Sequence, residues 1–521
     1  MICDFRFGIC DLICTTQIPN RNSQFANPRL SLPMKKTFLT SFASLLIVFC
    51  FSQSIDQYFE KIRKNEAELT AFMSQMPKGG DLHNHYSGAV YAESYFNWMV
   101  DADVSINQQS LEVSETRSDS PFYKFSVLKR KLNPAQFESL RQRVLRLYST
   151  KEWEQVHNDA REEHFFATFG NFSVASGLNF KKGLEELRDR AIVENVSYLE
   201  PMMSNIRLRK FSNNLPILDN TDTITLYNNL LGLTQAARNL QETVPVKNLL
   251  SRLQQMIQSE LEGTAKYYNT FIDSVHFFVE DGSRFKIRFL AFITRNGDLV
   301  STFLNLYAAF YIVHNSKTKN LVGVNIVAPE DNPVSMHNYW LHMQFFKFCH
   351  KAFPDVKYSM HAGELTEGVV QPEELTWHIS SAVYDAGANR IGHGVDIAYE
   401  KDNYKLLNYM AKNKIAVEIN LSSNEYILGV KDDRHPIMLY KRFNVPIVIS
   451  TDDPGVSRTS LTEQYVLLAK RYNEISYQDI KTFVYNSIRY SFLTDAEKES
   501  LIKDLDQRFI VFENYVLKNR N

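Results

Sequence analysis

Eight short runs of apolar and β-branched residues recur along this chain, set apart by segments that are helical or long enough to be so. They occupy residues 81–85, 197–203, 287–294, 321–327, 357–361, 390–395, 415–421 and 446–451. Residues 245–266, 299–314, 339–351, 372–386 and 404–412, which lie between them, read as helices. Strands that alternate with helices pair in parallel, because each return must cross over the sheet. Eight such units predict a (β/α)8 barrel, whose chemistry gathers at the C-terminal ends of its strands. At 521 residues the chain is long for one barrel, but α/β barrels tolerate long insertions. Residues 91–195 are the place for one: 105–120 read as a polar loop, and 134–148 and 160–188 have helical periodicity. This largely α-helical insertion after the first strand is positioned to cover the mouth of the barrel. Upstream of that strand, residues 55–74 read as a short amphipathic helix, ended by Gly79-Gly80.

The strand ends carry the residues of interest. His83 and His85 share one face of the first strand, since strand side chains alternate with period two, and so form half a metal site. Such pairs also occur as plain hydrogen-bonded histidines. Three further groups follow strand-like runs: His361-Ala362-Gly363-Glu364, Gly392-His393-Gly394 and Thr451-Asp452-Asp453-Pro454. Imidazole nitrogens with a carboxylate oxygen suit zinc and leave a position for water. A bound divalent ion lowers the pKa of that water to about 7. Taken singly, Asp452 also suits a helix N-cap, Glu364 a solvated loop and His393 a buried core position.

Composition narrows the partners. The net charge of −1 leaves no basic footprint for nucleic acid, and a small molecule is the default substrate. Four of the five cysteines (Cys3, Cys10, Cys14 and Cys50) precede residue 51, so Cys349 stands alone in the main domain, as a buried thiol on a helix. Residues 1–33 read as an upstream over-extension, with Met34 as the start. Lys35-Lys36 followed by the apolar run 38–51 describes a signal peptide over 34–52. That leaves residues 53–521 as a periplasmic or secreted barrel with no stable membrane insertion. A lipid anchor at Cys50 is an alternative, although Phe49 stands where a small residue is expected.

The segments MPKGGDLHNHYSGA (76–89), HAGE (361–364), RIGHGVD (390–396) and STDDPGVSRTSLTEQY (450–465), with 322–330, resemble the adenosine deaminase family of metal-dependent hydrolases, including its secreted growth-factor-type branch. The likeness runs in order from about Met76 to Tyr465. It implies that His83, His85, His361 and Asp452 bind one Zn²⁺ per chain. It further implies that Glu364 protonates the purine ring nitrogen, that His393 orients the attacking oxygen, and that Asp453 shares a proton with the imidazole-ring nitrogen of the substrate. The reaction implied is hydrolytic deamination of adenosine or 2′-deoxyadenosine to the inosine compound and ammonia.

Two positions depart from the family pattern. Ser87 stands where an acidic residue contacts the sugar, and Ala328 where a glycine offers its N–H to the purine. Both are substrate-binding candidates, and both bear on substrate more than on reaction type. One alternative substrate is adenine or AMP; a phosphate would call on Arg207, Arg209 and Lys210, which otherwise read as a solvated loop. Another reading is an extracellular binding or signalling protein on the same barrel. A homodimer is compatible with the branch it resembles. His157, His164, His276, His378 and His435 match no motif and read as core or surface histidines.

Overall fold

The structure is a computed structural model that describes residues 54–152, 161–208, 244–280 and 284–519. The expected leader and upstream segment, together with Cys50, His157, Arg209 and Lys210, lie outside the described residues. Twelve strands are described: β1 (Lys78–His85), β2 (Ser105–Asn107), β3 (Val113–Ser114), β4 (Phe122–Lys124), β5 (Val196–Asn205), β6 (Lys286–Ile287), β7 (Phe289–Thr294), β8 (Leu321–Val327), β9 (Lys357–Ala362), β10 (Arg390–His393), β11 (Ala416–Ile419) and β12 (Ile447–Ile449).

The barrel strands run β1-β5-β7-β8-β9-β10-β11-β12, each parallel to its neighbour. The ring closes between its first and last members. The Asp452 N–H donates to the His83 carbonyl at 2.8 Å and the His85 N–H to the Asp452 carbonyl at 2.9 Å. The fold is therefore the (β/α)8 barrel that the alternation predicted. Asp81 supports the closure, because its buried carboxylate accepts from the Thr451 hydroxyl at 2.5 Å and the Thr451 N–H at 3.2 Å. Thus the two segments that carry His83, His85, Asp452 and Asp453 meet at the seam of the barrel.

Several elements differ from the sequence expectation. The single helix over 55–74 is two, Ile55–Ile62 and Glu66–Gln75, because the Asn65 side chain accepts from the Ala67 and Glu68 N–H groups and starts a new helix. The polar loop over 105–120 contains two strands: β2 pairs antiparallel with β3, and with β4 just beyond the loop, in a small separate sheet with Ile106 and Phe122 buried. Most of the other described residues of the insertion are helical, and the helix Arg161–Asn171 brings Phe165, Phe166 and Phe169 to the barrel mouth. The strand over 287–294 is broken at Arg288, whose side chain turns out to the His276, Glu280 and Glu497 side chains. The helix over 372–386 breaks into a 3₁₀ turn (Glu374–Thr376), a helical turn (His378–Ser381) and a π turn (Ala382–Ala386), because Trp377 leaves helical geometry at φ −153° and His378 is drawn inward to stack on Tyr339 at 3.7 Å. Cys349 is buried on the helix Pro333–Ala352, where burial pushes its thiol pKa up. No helix among the described residues is long and apolar enough to cross a membrane.

Inside the barrel one cation joins three strands. Arg390 on β10 is 1% exposed. Its guanidinium donates to Glu200 of β5 at 2.5 Å, to Glu418 of β11 through Nε, and to the Tyr490 carbonyl at 3.0 Å, and lies 3.7 Å from the centre of the Phe492 ring. Removing it leaves two carboxylates buried without their counter-charge. Arg390→Met is therefore expected to lower stability by about 3–5 kcal/mol, measurable as a drop in the urea midpoint.

Candidate metal and proton-transfer site

At the C-terminal end of the barrel four donor atoms converge. His83 Nε2 lies 3.1 Å from His361 Nε2 and 3.5 Å from Asp452 Oδ1, and His85 Nε2 lies 3.2 Å from each of those two atoms. Ligands about 2.0–2.1 Å from a tetrahedral ion are separated by about 3.3–3.4 Å. The spacing thus fits one small divalent cation, as does the chemistry of three imidazoles and a carboxylate. The strand period places His83 and His85 here, and the β1–β12 seam brings Asp452 to them. His393 stands further back, its Nε2 3.9 Å from Asp452 Oδ2.

Three of the four, His83, His361 and Asp452, are held from behind. His83 Nδ1 faces the Glu418 carboxylate at 2.7 Å, and Glu418 also accepts from Ser359 at 2.9 Å and from Arg390. His361 Nδ1 faces Asn325 Oδ1 at 3.0 Å. The Ser423 hydroxyl donates to Asp452 Oδ2 at 2.6 Å. Such partners fix tautomer and ring orientation so that the lone pairs point inward. Gly392 permits the approach, since a Cβ there would lie 2.7 Å from the His83 ring. Glu418, Asn325 and Arg390 were missed in the sequence reading. Their only signal was a polar residue inside an apolar strand run, which must be paired if it is buried.

Protonation differs sharply among the carboxyls. Burial opposes the Asp452 charge, but hydrogen bonds from His83 and His85 outweigh it and hold its pKa well below the usual range. Burial, reinforced by the Asp452 and Glu330 charges, pushes Glu364 well above it. Asp453 is raised for the same reasons, burial first and the adjoining Asp452 second. Neighbouring carboxyls with opposed environments are the signature of acid and base roles. Among the histidines, burial lowers His85 and His361, and His393 to about 3, so these rings are neutral. Burial also opposes charge on His83, but Asp452 and Glu418 outweigh it and raise its pKa to about 10. Those two carboxylates therefore favour positive charge at this point, which a bound cation would supply.

The site opens into a cavity of about 340 Å³, within the range of small-molecule sites. Glu364, His393, Asp452 and Asp453 line it, with His85, His361, Ser87 and Ala328. The nine candidate residues are thus brought together. Phe165, Phe166 and Phe169 of the insertion helix form one wall. Asp453 Oδ1 is buried without a hydrogen-bond partner, and Gly88 makes room for it, since a Cβ there would overlap that oxygen. Of the unmatched histidines, His164 caps the Ser149 carbonyl, His276 faces Glu280, His378 pairs with Glu330, and His435 contacts Asn424.

Backbone strain gathers at the same end. Ala328, His393 and Asp452 have φ of 87°, 67° and 63°, in the left-handed region that side chains disfavour. Ala328 retains its N–H, at the cost of that strain. Ala328→Gly is expected to raise stability by roughly 0.5–1 kcal/mol, the relief of strain less the added freedom of the unfolded chain. The shift in thermal midpoint measures it.

Residues 268–508 match the adenosine deaminase family model. Among curated proteins, the adenosine deaminase of Shewanella halifaxensis is 34% identical over 165 residues, 30% of this chain and 46% of that protein. The adenosine deaminase of Clostridium perfringens is 30% identical over 185 residues, covering 35% and 52%. These alignments span about half the length of the curated relatives. Among solved structures, the apo N6-methyl-AMP deaminase of Arabidopsis thaliana superposes with a TM-score of 0.52 at 17% identity, over 84% of this chain and 98% of that one, a likeness of fold. The matched region, which is similar to the adenosine deaminase family, carries His361, Glu364, His393, Asp452 and Asp453, and the seam of the barrel adds His83 and His85 to them.

Proposed function

We propose that this protein is a zinc-dependent hydrolase that removes the 6-amino group of adenosine or 2′-deoxyadenosine, yielding inosine or 2′-deoxyinosine and ammonia. The observation that carries the reading is the meeting of two high-pKa carboxyls with the four converging donor atoms in one cavity. His83, His85, His361 and Asp452 would hold the zinc ion, which would supply an acidified water as nucleophile.

The residues of the chain do the rest. Glu364 keeps its proton at neutral pH and delivers it to the purine ring nitrogen beside the carbon under attack. Asp453, also protonated and with Oδ1 unengaged, hydrogen-bonds the imidazole-ring nitrogen and sets the face of the base. Asp452 stays ionised and, with His393, would hold the attacking oxygen in line, and the proton of that oxygen would pass to the departing amino group as ammonia leaves. The Phe165, Phe166 and Phe169 wall keeps bulk water from the purine. Ser87 offers a hydroxyl toward the sugar, and Ala328 its N–H to the base.

Arg207, the described member of the basic segment a phosphate would call on, is exposed and does not line the cavity. The basic segment Lys35-Lys36 and the apolar run after it support an exported protein.

The test is made on purified protein, by zinc content and by loss of the adenosine absorbance band. About one zinc per chain with turnover is expected. Glu364→Gln should retain the metal and lose roughly 10²–10⁴-fold in kcat. Zinc without adenosine turnover would overturn the substrate and point to adenine or AMP. The pH dependence follows from the Glu364 shift: the acid must be protonated, so kcat should hold well above the ordinary glutamate range near pH 4.3 and fall on the alkaline side as Glu364 ionises. A fall in kcat from pH 5 upward would contradict its role.

A further inference from the structure

We propose that Asn424 and His435 are positioning residues that fix the tautomer of His393, placing its proton on Nε2 and aiming it at the reacting oxygen. The functional meaning of this rests on the deaminase reading, but the geometry does not.

The chain of constraint starts at a backbone group that can only donate. The Ile437 N–H points at His435 Nδ1 from 3.2 Å, so that nitrogen is an acceptor and the proton of the neutral ring sits on Nε2. His435 is 2% exposed, and burial, with the Arg471 charge, lowers its pKa to about 3, so it carries no second proton. Its Nε2–H donates to Asn424 Oδ1 at 3.1 Å. That bond fixes which end of the Asn424 amide is oxygen, an assignment that amides otherwise leave open. The other end, Nδ2, then donates to His393 Nδ1 at 2.9 Å.

The surroundings of His393 agree. Asn420 Nδ2 approaches the same Nδ1 at 3.5 Å, a second donor. Glu364 Oε1 is 3.4 Å from the same Nδ1, farther than the Asn424 amide nitrogen at 2.9 Å. Nδ1 therefore keeps its lone pair, and the single proton of His393 lies on Nε2. Nε2 is buried without a protein partner, 3.9 Å from Asp452 Oδ2, beyond hydrogen-bond reach. It is a free donor pointing to the place beside Asp452.

This assigns His393 a direction. In the resting protein it donates a hydrogen bond to the attacking oxygen and cannot take a proton at Nε2. Asn424 is on the helix Leu421–Leu428 and His435 follows the turn Asp432–Arg434, so the relay ties the reacting centre to the β11–β12 connection.

The experiment reads the tautomer directly. Long-range ¹H–¹⁵N correlation of the zinc-loaded full chain, labelled at histidine, reports which nitrogen of each ring is protonated. His393 is assigned by the loss of its signals in His393→Gln. The expected result is a protonated Nε2 and an unprotonated Nδ1. Asn424→Asp replaces the donor with an acceptor of the same shape; it should protonate Nδ1 and lower kcat roughly 10–100-fold, with KM and zinc content little changed. His435→Phe frees the Asn424 amide to turn and should give a mixture of tautomers. A wild-type His393 protonated on Nδ1 overturns the proposal, and so does an Asn424→Asp protein whose His393 is unchanged. The wild-type spectrum decides even if a variant fails to fold. A protein with the expected tautomer but no deamination upholds the relay and sinks the deaminase reading alone.

Discussion

The buried guanidinium of Arg390 is the point on which the barrel and its site both depend. It neutralises Glu200 and Glu418 on two other strands. Without that charge Glu418 could not remain ionised in the interior, and its pKa is held down to about 2, against burial, by Arg390 first and His83 second. An ionised Glu418 is what grips His83 Nδ1 and turns its Nε2 toward the other ligands. A packing device in the barrel interior is therefore also the outer support of the metal site. Desolvating three charges is expensive, and the arrangement persists because each is hydrogen-bonded to another.

The site follows a second constraint, the separation of protonation states within a few ångströms. Asp452 and Asp453 are adjacent in sequence and equally buried, yet one is pulled down by two imidazoles and the other pushed up by the charge of the first. One mode of closure, the β1–β12 seam, delivers both the histidines and the aspartates. The strained backbones of Ala328, His393 and Asp452 lie at the same end, where strand geometry gives way to turns that must aim side chains inward.

Much of this was legible in the residues. The eight strands could be located because buried parallel strands are continuous apolar runs, and the run 321–327 was placed to the residue. The His83/His85 pair followed from a period of two. Where local pattern misled, tertiary contact was the reason. β2 and β3, of three and two residues, are too short to look like strands and gain their order by pairing with each other. The helix expected over 372–386 is broken because His378 is drawn to Tyr339 and Glu330. Asn65 was a cap signal visible in the sequence but hidden within an amphipathic run.

The sequence by itself determined the barrel, the resemblance to one deaminase family and the chemical types at the strand ends, because those depend on periodicity and on motifs a few residues long. Only the tertiary structure decided which groups stand behind them. Glu418 lies 335 residues from His83, Asn325 lies 36 from His361, and Asn424 lies 31 from His393. Nothing in local sequence couples such pairs. They are set by which strands become neighbours when the ring closes, and in a dry interior the neighbour fixes whether a buried carboxyl or imidazole keeps its proton.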